Sequence, residues 1–159
     1  MKRTLVAIAV AATSLAAWRW HASTPSIPST DAGSLAFDRL WIDHLPKSDK
    51  DQVKVFVALT EQPVGVFQTT STWKGEYEVF QFERSGGLLR VAYPQTGDRE
   101  QVTVAGTTCH EHGMDYCLEV GGASRGAKQY YSMKGWELDG AADVKAVTAR
   151  VDALLATRR

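Results

Sequence analysis

The sequence has no excess of charge of either sign. Its 159 residues include 18 Lys and Arg and 18 Asp and Glu, so the formal net charge at pH 7 is zero. The basic residues are scattered along the chain, and the strong positive field of a general nucleic-acid-binding protein is missing. With 44% hydrophobic and 23% charged residues, the composition is that of one ordinary globular domain and excludes a disordered or collagen-like chain. We therefore expect no nucleic acid among its partners.

Motifs of the common catalytic and cofactor sites are also missing. No Gly-x-Ser-x-Gly occurs, and neither His21 nor His44 has a nucleophile close to it in sequence. Gly121–Lys128 (GGASRGAK) begins like a phosphate-binding loop, but Ala127 separates the second glycine of the motif from the lysine, and a strand pattern follows where a helix is needed. We interpret this segment as a hairpin loop and expect no cofactor and no enzymatic activity. A catalytic site assembled from distant residues is the alternative.

The first 22 residues have the pattern of an export segment. Lys2 and Arg3 precede an uncharged stretch, Thr4–Trp18, rich in leucine, isoleucine, valine and alanine. At ~1.5 Å per residue this stretch spans only ~22 Å, less than the ~30 Å hydrocarbon core that a transmembrane helix crosses. We predict a cleaved signal peptide over 1–22, with an uncleaved N-terminal membrane anchor as the alternative. No cysteine lies near the segment, which argues against a lipoprotein.

Removing the export segment changes the charge of what remains. Without its three basic residues the chain carries 15 basic and 18 acidic residues, so the mature protein is mildly acidic. Residues 23–34 are rich in proline, serine and threonine, and Ile27 is their one large apolar residue. Such a stretch cannot bury enough surface to order itself, so we predict a linker there and a folded domain over 35–159. Export would place this domain in the periplasm or outside the cell, with membrane contact only through an uncleaved N-terminus.

Hydrophobic alternation with a period of two dominates the domain. Val53–Leu59 is typical, because valine and leucine alternate with Lys54, Phe56 and Ala58. Tight turns join such segments, which implies antiparallel neighbours. The pattern predicts an all-β, mainly antiparallel sheet of about eight strands, at Arg39–Asp43, Val53–Leu59, Val64–Thr70, Glu76–Arg84, Leu88–Tyr93, Arg99–Thr108, Asp115–Val120 and Lys128–Leu138.

The period changes after Asp139. Apolar residues recur there at spacings of three and four, at Val144, Val147, Val151, Leu154 and Leu155. This spacing is typical of an amphipathic helix, for which Asp139 is a suitable N-cap and Arg158 and Arg159 suit the C-terminal end of the dipole. We predict one C-terminal helix over about 139–157 that packs its apolar face on the sheet. A partner-binding helix is the alternative.

An exported chain of about eight antiparallel strands followed by one helix resembles the lipocalin-like (calycin) barrels, in which closure removes the sheet edges. Lipocalins carry Gly-x-Trp in the first strand; here Trp41 lies in the first predicted strand, and Arg39 takes the place of the glycine. The resemblance implies a barrel with Trp41 closing its floor. It also implies the non-catalytic binding of a small hydrophobic or amphipathic ligand.

Aromatic and neighbouring apolar side chains are the candidates for contacting such a ligand. Phe80 and Phe82 share one face of their strand, and Tyr131 and Met133 share one face of the last predicted strand. An eight-stranded barrel either holds a small ligand or is filled by its own side chains, and both remain open from the sequence. We expect these four residues to contact the ligand if there is a cavity. The alternative is an envelope protein without a cavity that binds or inhibits another exported protein through exposed loops.

The segment Cys109–Cys117 (CHEHGMDYC) combines both cysteines of the chain with two histidines. Because the cysteines flank a predicted hairpin and exported proteins mature in an oxidising compartment, we predict a disulfide between Cys109 and Cys117. His110 and His112 are weak candidates for zinc or copper ligands, since side chains two residues apart in an extended chain point the same way. The spacing matches no strong metal motif, and the disulfide consumes both sulfurs. We therefore expect a polar turn without a metal.

Overall fold

In the computed structural model, residues 30–48, 50–71 and 75–139 are described, together with Ala149 and Ala153. One short helix precedes eight strands in this part of the chain: α1 (Thr30–Leu35), β1 (Trp41–Ile42), β2 (Val53–Leu59), β3 (Val64–Thr70), β4 (Gly75–Ser85), β5 (Leu88–Ala92), β6 (Arg99–Thr108), β7 (Tyr116–Gly121) and β8 (Gln129–Ser132). Each strand pairs antiparallel with the next, and β1 also pairs with β8 through Ile42 and Tyr131. The sheet is therefore a closed barrel. The predicted all-β, eight-stranded antiparallel architecture is confirmed.

Strand boundaries agree with the sequence pattern except at the two ends of the barrel sequence. β2, β3 and β6 have the predicted bounds, and the β4–β5 hairpin turns at Gly86, whose φ is 60°. β1 is shorter than the predicted Arg39–Asp43. β8 ends at Ser132, so its predicted extension to Leu138 is wrong. The chain turns there, because Gly135 has a φ of 80° and the Trp136 N–H donates to the Met133 carbonyl.

The barrel interior is filled by its own side chains. Sixteen buried residues form this interior cluster, and half of them are aromatic: Phe37, Trp41, Phe56, Phe67, Phe80, Phe82, Tyr93 and Tyr130. Neighbouring rings have their centroids 5.1 to 6.1 Å apart, within the range of favourable ring contacts. Gly65 leaves room for this packing, since a Cβ at that position would overlap the Phe80 ring.

A second cluster lies on the outer face of the barrel. It consists of Leu40, Ile42, Val53, Val55, Val57, Leu59, Met114, Cys117, Tyr131 and Leu138. Alternation in β2 predicts one buried face, yet both faces are buried, with the valines outside and Phe56 and Ala58 inside. The predicted helix over about 139–157 lies outside the described residues apart from Asp139, Ala149 and Ala153, and stays a prediction. Among the described helical residues, none forms a helix with the length and apolar character needed to span a membrane.

The segment from α1 to Phe37 closes one end of the barrel. The ring of Phe37 stacks on Phe82 with centroids 5.8 Å apart, and the fully buried indole of Trp41 donates from Nε1 to the Ala36 carbonyl at 3.0 Å. At Gly106 in β6, an added Cβ would approach the Ala36 nitrogen to 3.1 Å, so the chain crosses the end of β6 closely. Thr30 to Ser34, which by composition belong to the predicted linker, form most of α1.

The disulfide between Cys109 and Cys117 is confirmed. Cys109 directly follows β6 and Cys117 lies in β7, with their Cα atoms 5.7 Å apart. The bond braces the turn that joins the two strands, and it is compatible with an oxidising, exported compartment.

Candidate functional site

The end of the barrel opposite α1, which we call the mouth, is covered by the β7–β8 loop, residues 122–128. Two alanines of this loop pack against the interior cluster, and the Ala127 N–H donates to the Tyr130 hydroxyl at 2.7 Å. Gly126 has a φ of 76°, and an added Cβ there would overlap Tyr130 Oη and lie 2.6 Å from the ring of Phe67. The loop therefore lies directly on the interior rings and closes the mouth.

Arg125 fastens this loop to two other parts of the mouth. Its Nε lies 2.6 Å from Glu78 Oε2 in β4, and its Nη2 lies 2.9 Å from Asp98 Oδ2 in the β5–β6 loop. Its guanidinium also stacks on the ring of Tyr93, 3.7 Å from the ring centroid, where the π-electrons attract a cation. The Nη1 group donates to Ser124 Oγ at 2.9 Å. Each guanidinium nitrogen thus has a partner within the protein, so Arg125 acts as a clamp.

Hydrogen bonds determine the protonation states of the ionisable groups around Arg125. Tyr93 donates its hydroxyl proton to Glu100, and burial followed by this bond raises the pKa of Tyr93 above its ordinary range. Burial opposes the ionisation of Glu100, but the bonds from Tyr93 and from the Ser124 N–H outweigh it and lower the pKa of Glu100. The bond from Arg125 lowers the pKa of Asp98. At neutral pH both carboxylates are therefore ionised and the phenol keeps its proton. We call Arg125, Glu78, Asp98, Tyr93 and Glu100 the Arg125 cluster.

The four residues expected to contact a ligand do not come together. Phe80 and Phe82 lie inside the barrel, with exposed fractions of 0% and 5%. Tyr131 belongs to the outer cluster, and Met133 packs against that cluster. The sheet separates the two pairs, because the inward residue of β8 is Tyr130 and its neighbour in sequence therefore points outward.

The three histidines in the described ranges lie in turns at the surface. His110 and His112 are exposed, and the imidazole of His112 packs edge-on against Tyr131 with centroids 5.0 Å apart. His44 lies between two carboxylates, with Nδ1 3.0 Å from Asp43 Oδ1 and Nε2 3.3 Å from Asp51 Oδ2. Within the described ranges, no group of three or more histidine, cysteine, aspartate and glutamate residues is arranged to hold a metal ion.

A groove of about 1000 Å³ lies on the outer surface, away from the mouth loop. It runs over β4, β5 and β6 beside the β2–β3 turn, and we call it the outer groove. Its polar lining includes Gln62, Gln81, Glu83, Arg90, Arg99 and Gln101. Pro63, Val64 and Ala92 supply apolar lining between these polar groups.

Sequence reasoning misses both the Arg125 cluster and the outer groove. The cluster joins residues from β4, the β5–β6 loop, β6 and the β7–β8 loop, which only barrel closure brings together. Two signals in the sequence point to it. Arg125 stands among the small residues Gly122–Ala127 of the loop, and Tyr93 stands directly before Pro94, where β5 must stop.

Comparison with known proteins assigns no family to the chain. No protein-family model, no curated protein and no solved structure matches it. The closed eight-stranded antiparallel barrel is consistent with the calycin-like fold that the order of elements predicts.

The fit of the mouth loop over the interior is tested by Gly126→Ala, with Gly97→Ala as the matched control. Both glycines have positive φ, 76° and 79°, but a Cβ at Gly97 meets no atom within 4 Å. Both variants therefore incur the same backbone strain of order 1 kcal/mol, and only Gly126→Ala also clashes with Tyr130 and Phe67. We expect the urea midpoint to fall clearly further for Gly126→Ala. Equal midpoints would show that the loop does not lie on the rings.

The electrostatic clamp is tested by Arg125→Met, with Arg84→Met as the control that removes the same charge. Asp98 and Glu100 have lowered pKa values in the folded state, so they add stability above their unfolded pKa values and lose it as the pH falls through the folded ones. We expect Arg125→Met to lower the urea midpoint at neutral pH and to flatten its fall between about pH 5 and pH 2. Parallel pH profiles for wild type and Arg125→Met would contradict the clamp.

Proposed function

We propose that this protein is an exported, non-catalytic module that binds another exported protein with its outer surface. A protein-binding module is the alternative raised by the sequence, there with exposed loops as the contact surface. One observation carries it: the space that a lipocalin uses for its ligand is occupied here by eight packed aromatic side chains. The N-terminal export pattern and the disulfide support secretion to the periplasm or beyond.

The energy needed to make room inside the barrel favours a surface function. Pockets for small ligands have volumes of roughly 300 to 1000 Å³, so several interior rings would have to leave their contacts. Phe56, Phe80 and Tyr130 are fully buried, and removing a buried ring typically costs about 3 to 5 kcal/mol of stability. Entry through the mouth would also break the Arg125 clamp. New contacts with the ligand would need to offset all these losses of stability.

Binding of a small hydrophobic ligand, as in lipocalins, is the second candidate function. The observation in its favour is the closure of the mouth by a single short loop with positive φ at Gly122 and Gly126. Backbone rotation at these glycines would move the loop and uncover Phe67 and Tyr130 without disturbing a strand. On this proposal Phe80 and Phe82 contact the ligand as the sequence predicts, whereas Tyr131 and Met133 do not.

The two functions are separated by native mass spectrometry of the protein purified from its own cell, combined with solvent extraction and titration with fatty-acid-like quenchers. The indole of Trp41 lies inside the barrel and reports directly on a ligand there. We expect the mass of the unliganded chain, no lipid in the extract and no saturable quenching. We also expect a stoichiometric complex with an exported protein that survives delipidation. A lipid bound at one molecule per chain would contradict the proposal.

A further inference from the structure

The outer groove holds two exposed arginines, of which one has a weak carboxylate partner and the other has none within the described ranges. Arg99 is exposed and forms no ion pair or side-chain hydrogen bond with any residue in the described ranges. Arg90 has one ion pair, with Glu83 at 3.8 Å, and the two side chains are 72% and 82% exposed. A pair so far apart and so exposed is weak, and a better-placed carboxylate can replace it. Both arginines are therefore available to a partner.

The groove lining holds two arginines and two glutamates, so it is locally neutral within an acidic domain. Residues 30–139 contain 16 acidic and 11 basic residues, so the domain as a whole repels acidic partners. The other carboxylate in the groove lining, Glu100, already accepts hydrogen bonds from Tyr93 and Ser124. An acidic partner is thus repelled less at the groove than by the domain as a whole, and the two exposed guanidinium groups are the cations that it can contact there.

The register of the sheet fixes the spacing of the two arginines. Arg99 in β6 pairs with Ala92 in β5, and Arg90 lies two residues before Ala92 on the same outer face. The arginines are therefore diagonal neighbours, with Cα atoms about 7 to 8 Å apart. An extended peptide rises ~3.3 Å per residue, so its side chains at positions i and i+2 lie on one face about 6.6 Å apart. Two acidic residues at i and i+2 match this spacing.

The rest of the groove suits a peptide backbone. Gln62, Gln81 and Gln101 line it, and none of these amides forms a side-chain hydrogen bond with another described residue. Each amide donates and accepts, as peptide N–H and C=O groups require. The aromatic residue of the lining, Phe82, is buried, so the groove offers no exposed ring on which a sugar could stack. These features favour a peptide over a glycan.

We propose that the outer groove binds an extended acidic segment of a partner protein, with Arg90 and Arg99 each taking one carboxylate from residues two apart. This inference rests on the proposed function, since it names the surface and the partner chemistry of the same binding module. Arginine suits the role because its planar guanidinium accepts a carboxylate in a bidentate pair.

The test uses the full-length chain and a labelled peptide, acetyl-Gly-Glu-Val-Glu-Gly-amide, in a fluorescence anisotropy titration. We expect saturable binding that weakens when the salt concentration rises from about 0.01 M to about 0.15 M, because the screening length then falls from ~30 Å to ~8 Å. A peptide with glutamine in place of both glutamates should not bind. A peptide with adjacent glutamates should bind more weakly, since its carboxylates point to opposite faces.

Variants of the protein assign the binding to the groove. Arg90→Gln and Arg99→Gln should each weaken binding about fivefold, and the double variant should abolish it. Lys128→Gln is the matched control, because it removes one positive charge from an exposed position outside the groove lining and should leave the affinity unchanged.

Three results would overturn the inference. Equal binding of the glutamate and glutamine peptides would exclude recognition of the carboxylates. Equal losses of affinity in Lys128→Gln and Arg99→Gln would show that binding depends only on the net charge of the protein. Binding of a uronic-acid oligosaccharide, lost in the double arginine variant, together with no binding of the peptide, would assign the groove to a glycan. The proposed function is tested separately, because one lipid molecule bound in each barrel would contradict it. It stands if the peptide does not bind but the delipidated protein still forms its complex with an exported protein.

Discussion

The packing of aromatic rings inside a closed sheet is the constraint on which the rest of this structure depends. Phe80 lies at the centre, in ring contact with Phe82 of the same strand and with three rings from other parts of the sheet, Phe56, Phe67 and Tyr93. These contacts fix which residues of each strand point inward. Because strand side chains alternate, the same choice places the valines of β2 outside and turns Tyr131 away from the interior.

Closure at both ends follows from the filled interior. At one end the Trp41 indole is tied to the backbone just after α1, and at the other the β7–β8 loop lies on Phe67 and Tyr130 under the Arg125 clamp. Every guanidinium nitrogen of Arg125 has a partner within the protein, so this cation is already engaged in closing the mouth. The two exposed arginines of the outer groove lie instead on the outer face of β5 and β6. The outer groove, which we propose as the binding surface, is thus a part of the barrel that is not used to pack the interior or to close its ends.

The sequence predicts the parts of this fold that are local. Alternation and turn glycines determine β2, β3, β6 and the β4–β5 hairpin, and the paired cysteines determine the disulfide. Contacts that depend on closure of the barrel cannot be predicted from these local patterns. The pairing of β1 with β8 decides that Tyr130 faces inward in place of Tyr131. Likewise, the apolar residues Met133 and Trp136 on either side of Gly135 hide the turn there, and α1 lies in a segment whose composition is that of a linker.

The candidate sites are less predictable than the fold for the same reason. The sequence shows that Phe80 and Phe82 share one face of their strand, and the closed barrel shows that this face is the inner one. The Arg125 cluster and the arginine pair in the outer groove each combine residues from different strands, and their spacing is set by register. Sequence alone shows the residue types but not the distances that give them a role.

The central claim, that side chains fill the barrel, is tested most directly by comparing wild type with Phe80→Ala in a nuclear magnetic resonance titration with benzene. Removal of the central ring leaves an apolar cavity, and such cavities bind small apolar molecules. The account predicts saturable shifts of interior resonances for Phe80→Ala and none for wild type. Saturable binding of benzene to the interior of the wild-type barrel would contradict it.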